Sequence, residues 1–406
     1  MGRVLLVTQY FHPENFKSND IAFELVKRGY KFTVLTGIPN YPGGTYFKGY
    51  GLFRKRIQKI NGVKIIRAPL IPRGNGGKIR LVLNYFSWPF FASIYAFFIS
   101  LFCKYDFVIV HQTSPVMQGL PAVIVKKIQK IPMFFWVLDL WPESLSAAGD
   151  INNKKILSFF TSITKLLYKN SDKILISSRN FKKSILEKGN YEDKIIYFPN
   201  WAEDVFFNDS EIDTELAHLS LLPKGFIVMF GGNIGEAQDF ENVMKCALIL
   251  KDNKEVKFVI IGDGRKKNWL ETFILNNNLS ETVFCLGRFP LHTMPSFFKK
   301  ADVLLLSLKN EIIFNLTVPA KLQVYMAMGK PVIAMINGEG NDIIHESGCG
   351  IAVNAGDHES LANSLLKLYE MPHCELNKMG ENGRIFCDKH FNLNKSIDNL
   401  CAIMHN

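Results

Sequence analysis

Short runs of apolar residues, rich in Val, Ile and Phe, alternate in the first half of the chain with segments of helical pattern. Between the first two runs, residues 19–28 space their apolar side chains as an amphipathic helix does, and Gly29 follows as a helix stop signal. This alternation predicts a parallel, doubly wound sheet. The predicted strands are Val4–Thr8, Phe32–Thr36, Val63–Ala68, Phe107–Gln112, Met133–Leu138, Ile174–Ser178 and Ile195–Pro199.

A polar, irregular stretch at residues 200–224 separates this pattern from a second one of the same kind. With a hinge near Asn200–Asp204, we expect a first domain over residues 1–200 and a second over 201–391. Both are predicted to be Rossmann-like α/β domains, facing a central cleft lined by the loops that follow their strands. The strands predicted in the second domain are Phe226–Phe230, Phe258–Ile261, Val283–Leu286, Val303–Leu306, Val332–Ala334 and Ile351–Val353.

Residues 81–102 form an uncharged stretch of 22 residues, nine of them aromatic. The length permits a membrane span, but Asn84, Ser87 and Pro89 interrupt the stretch and the aromatic residues are spread throughout it. A helix lying in the headgroup boundary fits this composition better, and a buried helix of the first domain is the other alternative. The residues predicted to contact the membrane are Lys78, Arg80, Phe86, Trp88, Phe90 and Phe91.

The net charge of +11 is unevenly distributed along the chain. Residues 1–200 hold 29 Lys and Arg against 11 Asp and Glu, a net charge of +18, whereas the rest of the chain is at −7. Such a basic half favours an anionic partner, whether a phosphorylated substrate, a membrane surface or nucleic acid. Because no RRM, KH or zinc-finger motif is present, nucleic acid is not the partner we predict.

Seven cysteines stand at wide spacings without a C-x-x-C pair, which fits neither a disulfide framework nor a zinc site. The first residues read as a strand and not as a signal peptide, so we expect a cytoplasmic protein. No D-x-D pair, H-E-x-x-H or G-x-S-x-G motif occurs, which argues against a metal-bound diphosphate, a zinc hydrolase and a serine hydrolase.

Glycine-rich turns follow three predicted strands of the second domain. Glycines let a ligand approach the backbone, and free N–H groups at a helix start attract phosphate, although a plain tight turn is the simpler explanation of each. The candidate ligand-binding residues in these turns are Gly231, Gly232, Asn233 and Gly235 for phosphate, and Gly262, Gly264 and Arg288 for a nucleoside.

Lys321 is predicted to lie in the first turn of a short helix, where the helix dipole disfavours a cation. A bound anion would reverse that penalty, so Lys321 is the strongest phosphate candidate. In the first domain, Lys17 lies in the loop between the first strand and the first helix and is a second candidate.

Polar clusters end two later strands of the first domain. His111 ends one, and Asp139 follows another together with Glu143. A carboxylate in such a place can act as a base or orient a hydroxyl, and helix capping is the alternative role.

Together these segments resemble the retaining glycosyltransferases of family 4, which have the GT-B fold and need no metal. The likeness extends over nearly the whole chain and is greatest to bacterial L-fucosamine (N-acetyl-L-fucosamine) transferases of O-antigen, lipopolysaccharide and capsule assembly. The matching segments are Tyr10–Asp20, Thr36–Gly43, His111–Pro115, Phe135–Ser144, Phe198–Trp201, Gly231–Gln238 and Val318–Pro331.

The resemblance implies a UDP-sugar, as substrate and not as cofactor, held mainly by the second domain. It implies an undecaprenyl-diphosphate-linked saccharide as acceptor, bound by the first domain at the inner face of the plasma membrane, with Asn40, Tyr41 and Glu143 on the acceptor side. The last segment, residues 392–406, is expected to complete the first domain. Catalysis would rest on charge stabilisation of the leaving diphosphate by Lys321, with Asp139 or His111 orienting the reacting groups.

The sequence also departs from this family. Two glutamates separated by seven residues, which many members carry, fall here on Leu316 and Val324, so Glu311 is the nearest acid able to meet a ribose. Lys17 and Lys321 are the proposed replacements for the usual diphosphate-binding pair. These departures keep two alternatives open, a UDP-sugar epimerase of the same fold and a non-catalytic UDP-sugar-binding partner subunit.

Overall fold

A computed structural model describes residues 2–74, 77–149, 153–208, 213 and 216–405. The chain divides into two compact units, one formed by Met1–Pro199 with Ser396–Asn406 and the other by Asn200–Lys395. Each unit has a predominantly parallel sheet with helices on both faces, so the α/β, doubly wound architecture predicted from the sequence is confirmed.

The first unit is built on an eight-stranded sheet with the order β3-β4-β2-β1-β5-β6-β7-β8. All neighbours run parallel except β3, which pairs antiparallel with β4. Its strands are β1 (Arg3–Val7), β2 (Lys31–Gly37), β3 (Ile57–Ile60), β4 (Val63–Ala68), β5 (Phe107–Gln112), β6 (Met133–Val137), β7 (Lys173–Ile176) and β8 (Ile195–Tyr197).

Helices cover both faces of this sheet. They are α1 (Lys17–Lys27), α2 (Lys78–Phe102), α3 (Leu120–Gln129), α4 (Glu143–Gly149), α5 (Lys154–Asn170), α6 (Phe181–Leu186) and, at the end of the chain, α15 (Leu393–His405). From Ser396 onwards α15 packs on the first unit, where Asp398 accepts a hydrogen bond from Arg28 at 3.0 Å and His405 Nε2 lies 2.8 Å from the Tyr30 hydroxyl.

The second unit has a six-stranded, all-parallel sheet with the order β11-β10-β9-β12-β13-β14. Its strands are β9 (Phe226–Asn233), β10 (Val256–Asp263), β11 (Val283–Gly287), β12 (Val303–Ser307), β13 (Val332–Met335) and β14 (Gly350–Val353). Its helices are α7 (Phe240–Ile249), α8 (Lys267–Asn276), α9 (Met294–Lys300), α10 (Ile312–Leu316), α11 (Ala320–Ala327), α12 (Glu339–Ser347), α13 (His358–Glu370) and α14 (His373–His390). Alternate residues of β9 enter two separate cores, which explains why its sequence reads as a continuous apolar run.

Helix α2 is continuous through Pro89, so residues 81–102 form a helix as predicted. Its inner face repeats every four residues and is buried against the unit, with Asn84, Trp88, Ala92, Ala96 and Ser100 at most 4% exposed. Trp88 is fully buried, which contradicts the predicted membrane contact of this residue. An indole inserted into the core cannot reach a lipid surface.

The outer face of α2 is apolar and exposed. Ten large apolar side chains of this helix are between 42% and 82% exposed. They are Ile79, Val82, Leu83, Phe86, Phe90, Ile94, Phe97, Phe98, Leu101 and Phe102. Phe91 is partly buried, and the side chain of Lys78 lies outside the described residues. By length and composition alone, Ile79–Phe102 is able to cross a membrane.

Truncating a side chain on the buried face of α2 should therefore affect the free energy of unfolding far more than truncating one on the exposed face. Replacing the buried Trp88 by Ala should lower the free energy of unfolding by about 3–5 kcal/mol, because it removes an indole from a packed core. Phe90→Ala, two residues away and 62% exposed, should change it by less than about 0.5 kcal/mol. A urea titration followed by circular dichroism measures both, and equal losses would contradict this orientation of α2.

Candidate functional site

A pocket of about 550 Å³ lies in the second unit, where β9, β10 and β11 end and α11 begins. Ligands of parallel α/β sheets bind at this edge, because the loops there are free to vary without disturbing the core. The structure brings six of the predicted residues together in its wall: Gly231, Gly232, Asn233, Gly262, Arg288 and Lys321.

Lys321 is the second residue of α11 and the central charge of this pocket. Its Nζ lies 3.6 Å from the centroid of the Phe230 ring, and it forms no ion pair with any residue that the structure describes. Burial lowers the pKa of Lys321 to about 7, since desolvation penalises the ammonium form. The face of the Phe230 ring favours the charged form and so opposes this shift.

Two glycines lie at the ends of β9 and β10, and the first of them makes room for this amine. Gly232 has φ +135°, and a Cβ at this position would lie 2.6 Å from Lys321 Cε. Gly262 has φ +155°, and its Cβ would lie 1.8 Å from the Gly232 carbonyl oxygen. Both φ angles lie in the region that favours glycine, and at Gly262 the neighbouring backbone leaves no room for a Cβ.

Tyr325 fixes α11 against the end of β9. Its hydroxyl accepts a hydrogen bond from Gly231 N at 3.1 Å and lies 3.4 Å from Gly231 O. Its ring packs edge-on against Phe298 at 5.4 Å. Because Tyr325 is one helical turn after Lys321, this anchor also sets the position of the lysine.

Four of the predicted donor-binding residues are not part of the pocket wall, and one of them, Lys17, belongs to the first unit. Gly235 N donates to Gln238 Oε1 at 3.0 Å, so this N–H is already used within the protein. Gly264 lies against the Ile234 carbonyl, and Ile234 N donates to Asp263 O at 2.8 Å. Glu311 is exposed at the start of α10 and does not line the pocket. The predicted phosphate role of the N–H groups after Asn233 is therefore wrong for this conformation.

Sequence reasoning missed several residues of the wall, among them Glu203, Asp263, Phe289 and Tyr325. Asp263 stands between two of the predicted glycines, and Phe289 follows Arg288. Both therefore lie in turns that the sequence had already marked as ligand-binding candidates. Glu203 lies in the segment read as a hinge, and no local pattern marks it.

His111 is placed in the core of the first unit. It is 1% exposed, its Nδ1 lies 3.3 Å from Thr8 Oγ1 and its ring packs edge-on against Trp136. Burial lowers the pKa of His111 to about 3, so the imidazole is neutral. A side chain with this burial does not contact a substrate, which contradicts its predicted catalytic role.

Asp139 and Glu143 have structural partners. Asp139 Oδ2 accepts from Ser114 Oγ at 2.6 Å and from Trp141 Nε1 at 3.0 Å, and Oδ1 accepts from Ser144. Glu143 pairs with the buried Lys188. Asp139 therefore joins the loops after β5 and β6, and Glu143 neutralises a lysine that would otherwise be buried alone.

Glu14, which the sequence did not single out, ties together the loops after β1 and β2. It is 3% exposed, and its Oε1 accepts from Asn40 N at 2.8 Å and Tyr41 N at 2.7 Å. Burial raises the pKa of Glu14 to about 7, although these N–H donors oppose the shift. Asn40 is fully buried, which contradicts a side-chain contact with an acceptor, whereas Tyr41 is 41% exposed. Lys17 begins α1 in the same unit.

The part of the chain that the structure describes contains no cluster of three His, Cys, Asp or Glu side chains able to hold a metal ion. All seven cysteines are free thiols.

Comparison with known proteins gives both a family and relatives. Residues 212–386 match the family described as "Glycosyl transferases group 1". A Pseudomonas aeruginosa protein named "Probable glycosyltransferase WbjE" is 26% identical over 276 residues, covering 66% of this chain and 68% of that protein. An Escherichia coli (strain K12) protein named "Putative colanic acid biosynthesis glycosyl transferase WcaI" is 25% identical over 315 residues, 75% of each chain.

Among solved structures, Alr3699/HepE of Anabaena, in complex with UDP and glucose, superposes with a TM-score of 0.69 at 13% identity and covers 100% of both chains. At this identity the likeness shows the fold alone. The chain has the GT-B fold, and the family and relatives that it matches support a glycosyltransferase.

Proposed function

We propose that this protein transfers a sugar from a UDP-sugar, bound in the pocket of the second unit, to a saccharide linked through a diphosphate to a membrane lipid. The observation that carries the donor half is Lys321, an amine inside a glycine-walled pocket that pairs with no acid in the described part of the chain. A diphosphate supplies the missing negative charge and leaves as UDP when the sugar is transferred. Stabilising that leaving group needs no enzymatic nucleophile.

Several features of the pocket support a nucleotide. Its volume of about 550 Å³ lies in the range of small-molecule sites. Glu203 and Asp263 are the acids in its wall, so we assign contacts with the ribose hydroxyls to them in place of Glu311. HepE, whose fold is similar, is described in complex with UDP and glucose.

The outer face of α2 supports a membrane-bound acceptor. Ten exposed apolar side chains on one helix form a patch of the kind that marks a contact with another protein or with a membrane. Ile156, Phe159 and Leu166 of α5 extend it, since the rings of Phe86 and Phe160 lie 6.4 Å apart. A cavity in the first unit, where β1 and β2 begin and α2 ends at Phe102, is lined by five cations. They are Arg3, Lys31, Lys59, Lys64 and Lys104.

The contacts of α2 favour a helix lying on the membrane over one that crosses it. Asn84 accepts from Gln9 Nε2 at 3.1 Å and donates to Ile71 O at 2.7 Å, and Trp88 is buried. Crossing the bilayer would break these contacts and place Asn84 in hydrocarbon. Contact through the outer face leaves them intact.

We further propose that the protein works at the cytoplasmic face of the plasma membrane in the synthesis of O-antigen or capsule, and that its donor sugar is N-acetyl-L-fucosamine or a related deoxy-aminosugar. This rests on the resemblance described above and on the names of WbjE and WcaI. Retention of anomeric configuration and independence from metal ions are part of the same proposal.

A donor screen tests the reaction. The full chain is incubated with a panel of UDP-sugars, UDP-N-acetyl-L-fucosamine included, and with undecaprenyl-diphosphate-linked N-acetylglucosamine, and the products are identified by mass spectrometry. We expect one donor to yield a longer lipid-linked saccharide and UDP, with or without EDTA. Lys321→Met should slow this about 100- to 1,000-fold, because a preorganised group on the leaving charge is lost. Lys300→Met, an exposed lysine of the same unit, is the control.

Conversion of a UDP-sugar without acceptor would show an epimerase instead. UDP binding without any turnover would favour a non-catalytic partner subunit.

The depressed pKa of Lys321 predicts proton uptake on UDP binding. At pH 8 the amine, with a pKa of about 7, is mostly neutral in the free protein, and the bound diphosphate should raise the pKa so that a proton is taken up. Calorimetry in buffers of different ionisation enthalpy measures this uptake, which should vanish at pH 6. Lys321→Arg, always charged, should bind UDP without uptake at pH 8, and uptake by that variant would assign the proton elsewhere.

Vesicle binding tests the outer face of α2. Phe90→Glu should weaken binding to phosphatidylglycerol vesicles at least about 10-fold, because a buried Phe contributes about 1.5–3 kcal/mol. Phe53→Glu, 97% exposed in the same unit but outside α2, is the matched control. Co-sedimentation measures both, and equal losses in the two variants would reduce the effect to added negative charge.

A further inference from the structure

A single arginine of the first unit is held by three tyrosines at the edge of the sheet where the strands end. Arg73 follows β4, and its guanidinium carbon lies 5.5 Å from the ring centroid of Tyr10, 5.5 Å from that of Tyr41 and 5.4 Å from that of Tyr85. Arg73 Nη2 donates to the Tyr10 hydroxyl, and its Nε lies 3.4 Å from Asn84 Oδ1. The guanidinium is oriented by rings and neutral oxygens.

The positive charge of Arg73 is not compensated. No carboxylate of the described residues forms an ion pair with it, and burial raises the pKa of Tyr10, so that phenol stays neutral. Of five N–H donors on a guanidinium, the two bonds above use two. The remaining three can bind a phosphate or a carboxylate in the planar, bidentate manner that arginine favours.

The loops around Arg73 are joined to one another. Glu14 holds the loop after β2 to the loop after β1, and Gly74 N donates to Gly44 O at 2.7 Å, which holds the loop after β4 to the loop after β2. The side chain of Arg80 lies against Gly74, the residue that follows Arg73. The guanidinium therefore sits in a built site and not on a free loop.

The neighbours of this site indicate the shape of the anion. Asn84 and Tyr85 contact Arg73 from α2, while Leu83 and Phe86, the residues on either side of them, are 44% and 43% exposed on the apolar outer face. Tyr41, on the loop after β2, offers a ring that is 41% exposed. Apolar surface, cation and open aromatic ring thus lie close together, which matches a ligand with a lipid chain, a diphosphate and a sugar.

We propose that Arg73 binds the diphosphate of the lipid-linked acceptor, with Tyr10, Tyr41 and Tyr85 orienting its guanidinium. This rests on the proposed function for the acceptor class, but it assigns the phosphate contact to a residue that the sequence did not indicate. The lipid chain lies along the outer face of α2, and the saccharide extends toward Tyr41.

Binding of farnesyl diphosphate to the full chain, in the presence of excess UDP to occupy the second unit's pocket, tests the inference. Arg73→Gln should weaken this binding about 10- to 100-fold, the loss typical of hydrogen bonds to a charged group, and should leave farnesol and UDP binding unchanged. Arg73→Lys keeps the charge but not the planar fork, so its loss should be smaller. Arg54→Gln, an exposed arginine of the same unit, should bind as the wild type does.

Equal binding by wild type and Arg73→Gln would overturn the inference, as would an equal loss in Arg54→Gln or no binding of farnesyl diphosphate by the wild type. UDP binding, measured separately, tells this failure from a failure of the donor site. Arg73-dependent binding of farnesyl diphosphate in a chain that does not bind UDP would support the inference while rejecting the proposed donor.

Discussion

Lys321 is held over the Phe230 ring, and no carboxylate among the residues that the structure describes neutralises it. The architecture of the second unit's pocket follows from this arrangement. Gly232 leaves the space that the lysine side chain occupies, and Tyr325 holds the helix that carries this lysine. A protein that buries an amine in this way loses stability in the free state, because desolvation is not repaid by a partner. The anion that we propose for this pocket would offset that loss.

Much of the fold could be predicted because buried parallel strands read as continuous apolar runs, and thirteen such runs correspond to strands. The edge strand β3 was missed since Ile57–Ile60 is half exposed and has no apolar face. Asn61-Gly62, which joins β3 to β4 with positive φ at both residues, was a hairpin signal that the sequence did contain.

The candidate site was predictable where chemistry follows directly from a strand end, as for Gly232, Gly262 and Lys321. It was not predictable where a role depends on tertiary partners. Gly235 offers no free N–H because Gln238 takes it, and His111 is removed from solvent by residues far away in sequence. Arg73 was missed for the same reason, since its tyrosines come from three separate segments of the chain.

The return of α15 to the first unit makes the second unit an insertion within the first. A chain that ends after Pro199 would therefore not form an intact first unit, because it would lack α15, the helix that carries Asp398 and His405. The second unit, by contrast, is one continuous stretch of chain, and its two ends lie close together, since Ala202 N donates to Phe391 O at 3.2 Å. To produce the first unit by itself, residues 396–406 would have to be joined to residues 1–199.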